Sequence, residues 1–216
     1  MRYRVNYEIL GHMAFLSHLE MMRLWQRALL RSSLPVAWSQ GFNPRPKLSL
    51  GPAKGVGVEG LSEYLDVDFK TYLQGDEVIS KLNSVLPDDV KVLRVRELPP
   101  GTKLLEAVIN EAQYKIIFTQ GCPGDLAAKV GDFLQKTEVL YLRRSPKKDK
   151  ELNLRSYVND LRLEDDVLIL SAKLGPNGTM RPPELLTVLG YWDIIKDITI
   201  QRLGLYIKDG SRRSAP

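Results

Sequence analysis

Cysteine and histidine are nearly missing from this chain. Its 216 residues hold one cysteine, Cys122, and two histidines, His12 and His18. A single thiol excludes an internal disulfide framework and fits a reducing compartment. It also excludes an iron–sulfur cluster held by this chain alone, because such clusters need several thiolates. Two histidines do not make a self-contained zinc site of the usual composition. Neither a metal nor a cofactor is therefore expected. Long apolar runs are missing too, and none approaches the roughly 18 residues of a membrane-spanning helix. Met1-Arg2-Tyr3-Arg4-Val5 is followed by no apolar h-region, so no secretory leader is expected and the chain reads as cytoplasmic. The last absence is a strong charge of one sign. Lys and Arg number 31 against 26 Asp and Glu, and the surplus of +5 is shared by both halves. So small a surplus permits nucleic-acid binding without arguing for it; a local basic patch would have to supply it.

What is present is ordinary for a globular protein: 44% apolar and 26% charged residues. Residues 3–9 alternate apolar and polar and predict a strand. Ser17-His18-Leu19-Glu20 is a capping box. The helix it opens should cover residues 18–31, with Arg23, Arg27 and Arg31 along one polar face. Residues 35–39 and 47–50 read as short strands around a loop, and residues 63–69 alternate strictly as a strand. Residues 76–86 predict an amphipathic helix and residues 90–97 a strand. The second half repeats this grammar. It has strands at 112–119 and 137–143, a helix at 124–136, a basic turn at 144–150 and an apolar strand at 167–174. Gly175-Pro176-Asn177-Gly178 reads as a turn. Arg181-Pro182-Pro183-Glu184 opens a short helix with proline in its first turn, and residues 199–207 form the last strand. Leu189, Tyr191 and Trp192 look like core or a helix-end plug. The fold class is therefore α+β: two ferredoxin-like βαββαβ units with largely antiparallel sheets. The units span residues 1–100 and 101–216, divided at Pro99-Pro100-Gly101, and the tail from Gly210 is expected to fray.

The segment richest in chemistry is Trp38-Ser39-Gln40-Gly41-Phe42-Asn43-Pro44-Arg45-Pro46-Lys47. It sets two aromatics, three uncharged hydrogen-bonding side chains and two cations among stiff proline and glycine positions. Pro44 and Pro46 hold Arg45 extended with little entropy left to lose, which suits a preorganised anion contact. The plainer alternative is a connecting loop with solvated cations. Gly51, Gly55, Gly57 and Gly60 form a glycine-rich stretch that would cradle phosphate on backbone N–H groups. It lacks the Gly-Lys-Ser/Thr ending of a P-loop, so a glycine-interrupted strand is the alternative. His18, at the positive end of the helix dipole, is the one candidate general base, but no nucleophile pairs with it in the sequence. The turn from Arg143 to Lys150 reads as a solvated charge run, and Cys122 as an incidental thiol.

The run from Ser17 to Leu29 (SHLEMMRLWQRAL), with Leu34-Pro35-Val36-Ala37-Trp38-Ser39-Gln40-Gly41-Phe42-Asn43-Pro44-Arg45-Pro46-Lys47 after it, resembles the radical-SAM-linked family of unknown function. Glu63-Tyr64-Leu65-Asp66-Val67, Leu152-Asn153-Leu154-Arg155 and Arg181-Pro182-Pro183-Glu184-Leu185-Leu186 are similar to the family pattern as well. The family usually has Asp at the position of Glu20, His at that of Arg45 and Asp at that of Asn153. Arginine at position 45 argues against proton transfer there and leaves anion binding open. The resemblance implies a bacterial accessory protein that acts with a radical SAM protein. The radical chemistry then resides on a separate chain, because Cys122 alone cannot supply three cluster ligands. Family gene neighbourhoods holding an E/G-type ribonuclease and ribosomal-protein genes imply a role near RNA.

The leading expectation is thus an accessory protein without catalytic activity of its own. It binds RNA or an RNA-modifying partner through Arg23, Arg27, Trp38, Ser39, Gln40, Phe42, Asn43, Arg45 and Lys47. Two alternatives stand beside it: a metal-independent endoribonuclease or RNA-modifying enzyme that uses His18, and a protein–protein adaptor for a radical SAM enzyme.

Overall fold

Tyr3, Val5, Tyr7 and Ile9 form one buried row of the first strand, β1 (Arg2–Ile9). That row is the seed of the N-terminal core. A computed structural model describes residues 1–146, 148–175 and 179–216. Lys147 and three residues of the turn expected at 175–178 lie outside the described residues. The capping box forms as the sequence predicts. Ser17 Oγ accepts from the Glu20 amide, while the Glu20 carboxylate accepts from the Ser17 amide at 2.8 Å. Helix α1 (His18–Arg31) follows, with Met21, Trp25, Ala28 and Leu29 buried. Trp25 meets Tyr7 edge to face, with ring centroids 4.8 Å apart. Burial of an apolar side chain of this kind contributes about 1.5–3 kcal/mol.

The chain continues through β2 (Leu48–Leu50), β3 (Glu59–Asp68), α2 (Gly75–Asn83), β4 (Val90–Leu98) and the short α3 (Leu105–Val108). Then come β5 (Glu111–Phe118), α4 (Leu126–Gln135), β6 (Leu140–Arg143), β7 (Lys150–Asn153), β8 (Val158–Glu164) and β9 (Val167–Lys173). Helix α5 (Pro182–Val188), β10 (Ile198–Asp209) and β11 (Arg212–Ser214) complete it. The fold is α+β and mostly antiparallel. In the first half β4, β1, β3 and β2 lie side by side with every neighbour antiparallel, and in the second β10, β5, β9 and β8 do the same. Both sets belong to one nine-stranded sheet among the described residues, because β10 also runs parallel to β3. That contact has only two registered pairs, Gln201 with Glu59 and Arg202 with Gly60. Two apolar clusters sit over the sheet, one in each half. Among the described residues no helix is long and apolar enough to cross a membrane.

Several expectations change. Residues 35–39 are not a strand; only isolated bridges form, Val36 to Phe69 and Trp38 to Pro46, since prolines remove donors from the ladder. The strand expected at 137–143 shrinks to β6 and pairs with β7 in a separate two-stranded sheet, leaving β8 as the edge of the main sheet. The tail does not fray. β11 pairs with β10, Arg213 stacks on Tyr206 and reaches Glu111 at 2.8 Å, and Pro216 is buried. Leu189 and Tyr191 are core, but Trp192 is 55% exposed.

Candidate functional site

Residues 34–50 form an arm that leaves α1 and returns as β2. Its base is held by backbone. The Ala37 amide donates to Asp68, the Lys47 amide to Ala37, and the Ser39 amide to Arg45, each at 2.8 Å. Ser39 Oγ in turn accepts from the Arg45 amide at 3.0 Å. Ser39 therefore shapes the arm and does not stand free for a ligand. Gly41 takes a φ of +132°, which a side chain rarely adopts, and turns the tip. Beyond this base the chain projects outward: Gln40, Phe42, Asn43, Arg45 and Lys47 are exposed, and Trp38 is at the margin. Phe42 is 105% exposed, so its ring touches almost nothing of its own chain. The Arg45 and Lys47 side chains make no hydrogen bond or ion pair among the described residues. The arm thus offers a bare ring and two unneutralised cations, with no general base or nucleophile among them.

Arg23 and Arg27 lie elsewhere. With Arg31 they border a groove of about 480 Å³ between α1 and residues 85–87. The lining of that groove includes no residue of the arm. The site residues expected together therefore divide into two surfaces. The cause is local: Leu34 and Val36 anchor the chain in the core at the end of the helix. They send the arm off from there.

His18 belongs to neither surface. It lines a small cavity with Tyr7, Ser17, Lys54, Glu63 and Arg202, of about 20 Å³, enough for one water. The surroundings are a buried ion pair that sequence reasoning passed over. Arg202 Nε donates to Glu63 Oε1 at 2.7 Å, and its other nitrogens donate to Glu63 Oε2 and to the carbonyls of Pro52 and Ala53. Both side chains are almost wholly buried, 1% and 5% exposed. Gly60 makes room for this pair, since a Cβ there would fall 2.6 Å from Glu63 Cγ. The glycine-rich stretch is accordingly no phosphate cradle. Its carbonyls wrap a guanidinium, while the Gly51 and Gly57 amides donate to Tyr64 and Ala14. Lys54 reaches back to the Ala14 carbonyl. Burial lowers its pKa to about 8, aided by the nearby Arg202 charge and opposed by Glu63. Burial also pushes the Tyr7 phenol up. Glu63 is spent on Arg202 and Ser17 on Glu20, which leaves His18, Lys54 and Tyr7 as the remaining titratable groups that line the cavity. A signal for the ion pair does exist: Glu63 shares the face of Leu65 and Val67 in a strictly alternating strand, which places a carboxylate in the core row.

Other cations are also paired within the fold. Arg143 is no part of a solvated run; it donates to both Glu184 oxygens and to the Thr179 carbonyl. Arg4 holds Asp66 bidentately, buried, on the sheet face away from the helices. Arg94 and Arg96 border a cavity of about 380 Å³ on that face, where the Pro216 carbonyl accepts from Arg96 at 2.7 Å. Asn153, where aspartate is usual in the resembling family, accepts from the Val139 and Arg155 amides. Either side chain has an oxygen for that task. Among the described residues no group of three or more His, Cys, Asp or Glu is placed to hold a metal.

Residues 2–182 match the model of the family described as "Uncharacterized protein conserved in bacteria (DUF2344)". No curated protein matches the chain.

Proposed function

This chain belongs to the DUF2344 family of proteins conserved in bacteria, and from that membership and the geometry of the arm we propose that it is an accessory protein that binds single-stranded RNA. The observation that carries the reading is Phe42, wholly exposed at a stiffened tip with unpaired Arg45 and Lys47 beside it. An exposed ring is costly in water unless something stacks on it, and every base has a face to offer. The neighbouring cations would meet the flanking phosphates, Trp38 would extend the stacking platform, and Gln40 and Asn43 would reach base edges. In this role the protein acts in the cytoplasm beside a radical SAM protein on a separate chain, in RNA or ribosome metabolism. The enzyme alternative would rest on the small cavity that His18 lines with Lys54.

The test is fluorescence anisotropy with a labelled single-stranded RNA across a salt series. The wild type should bind at low salt with a steep salt slope, and Arg45→Ala with Lys47→Ala should flatten it. No affinity at low salt would sink the reading. RNA turnover without added metal that disappears in His18→Ala would replace it with the enzyme alternative.

A further inference from the structure

The groove on α1 is chemically unlike the arm. Arg23, Arg27 and Arg31 recur every fourth residue along one edge of the helix. At 1.5 Å rise per residue their spacing is about 6 Å. The floor they overlook is apolar: Leu16, Leu24 and Ala28 on one side, Val85, Leu86 and Pro87 on the other. All three arginines are exposed, and their side chains make no hydrogen bond or ion pair among the described residues. The one carboxylate lining the groove, Glu20, is bound to the amide and hydroxyl of Ser17, which together with the Arg23 charge hold its carboxyl below its ordinary range. Asp89, close by, accepts from the amide of His12. Apart from the attraction between Glu20 and Arg23, no carboxylate lining the groove answers the arginine row.

We propose that this groove docks an acidic amphipathic helix of a protein partner. A nucleic-acid strand would satisfy the arginines but has nothing to gain from a floor of leucine, valine and proline. A helix satisfies both: apolar residues at i, i+3 and i+4 fill the floor. Glutamates or aspartates four residues apart on its flank repeat at the same 6 Å and meet the arginines as charge-assisted hydrogen bonds. Arginine suits this edge because its planar fork donates to both oxygens of a carboxylate. The proposal uses none of the arm residues and does not depend on RNA binding.

The probe is a synthetic amphipathic helical peptide with leucine on one face and glutamate at i, i+4 along the flank. Its counterpart carries lysine at the flank positions. Binding is measured by calorimetry to the wild type, to Arg23→Glu/Arg27→Glu/Arg31→Glu and to the matching glutamine triple, with thermal melting to confirm that each variant folds. The glutamate peptide should bind the wild type at least about tenfold more tightly than either triple variant, and the lysine peptide should prefer the glutamate triple. Three results overturn the proposal. The two peptides bind the wild type equally; or the charge reversal leaves the glutamate peptide unaffected; or single-stranded RNA displaces that peptide and itself loses affinity in the triple variants. The last result would give the groove to nucleic acid.

Discussion

Two arginines show how differently this protein treats one side chain. Arg202 lies at the junction of the two halves, closed in by both oxygens of Glu63 and by two backbone carbonyls. Arg45 stands on the arm in open water with no carboxylate to answer it. The same division runs through the molecule. Arg4, Arg143, Arg162 and Arg213 are each paired with acids, whereas Arg23, Arg27, Arg31 and Arg45 are not. Buried acids answer the cations that hold the fold, while these four arginines are exposed.

The sharpest way to break the comparison is to orphan the buried arginine. Glu63→Leu should cost about 3–5 kcal/mol in denaturant unfolding, because it leaves a guanidinium desolvated and unpaired. The double variant Glu63→Leu/Arg202→Met should recover most of that loss. A mild effect of the single change would mean that water reaches the junction. Next in size, Arg143→Met should cost about 1–3 kcal/mol, since Glu184 loses charged hydrogen bonds in a partly buried site. Phe42→Ala should alter stability by no more than about 0.5 kcal/mol, yet remove about 1–3 kcal/mol of RNA affinity. If it instead lowers the melting temperature strongly, the arm packs on something and the contrast fails. The smallest effect is a pH dependence. Lys54 has a folded pKa near 8, below its ordinary 10.5, so between these values the unfolded chain binds more protons than the folded one. Stability should then gain a rising contribution from about pH 8 to pH 10.5. Lys54→Met should remove that rise in melts across the range.

The boundaries of α1 could be read from the sequence because the signal is local. Ser17 and Glu20 cap it, and the spacing of Met21, Trp25, Ala28 and Leu29 defines its buried face. The inward faces of the first half were legible for a similar reason: alternation fixes which side of β1 and β3 turns to the core. The edge of the second half was not. Residues 137–143 have strand character, but pairing is decided by what else competes for the edge, and β8 took it. That residues 40–46 form a loop was legible from their prolines and glycine, while the position of that loop away from the groove of Arg23 and Arg27 was not, because the direction in which the chain leaves α1 depends on packing at Leu34 and Val36. The Arg202–Glu63 pair joins residues 139 apart. Only the core-facing parity of Glu63 hinted at half of it.

The narrow parallel seam between β3 and β10 sets an order of events during synthesis. β10 lies late in the chain, and it supplies both the neighbour of β3 at Glu59–Gly60 and the partner of β5. Until it leaves the ribosome, the first half can assemble β4, β1, β3 and β2, but one end of β3 stays unpaired and Glu63 waits without its counter-charge. The second half cannot complete its own sheet either. Closure is thus a late, long-range step, slow by the rule that distant contacts delay folding. Completion of both halves is tied to one strand, so a nascent chain that stalls before residue 198 exposes an acidic, half-paired edge to other chains.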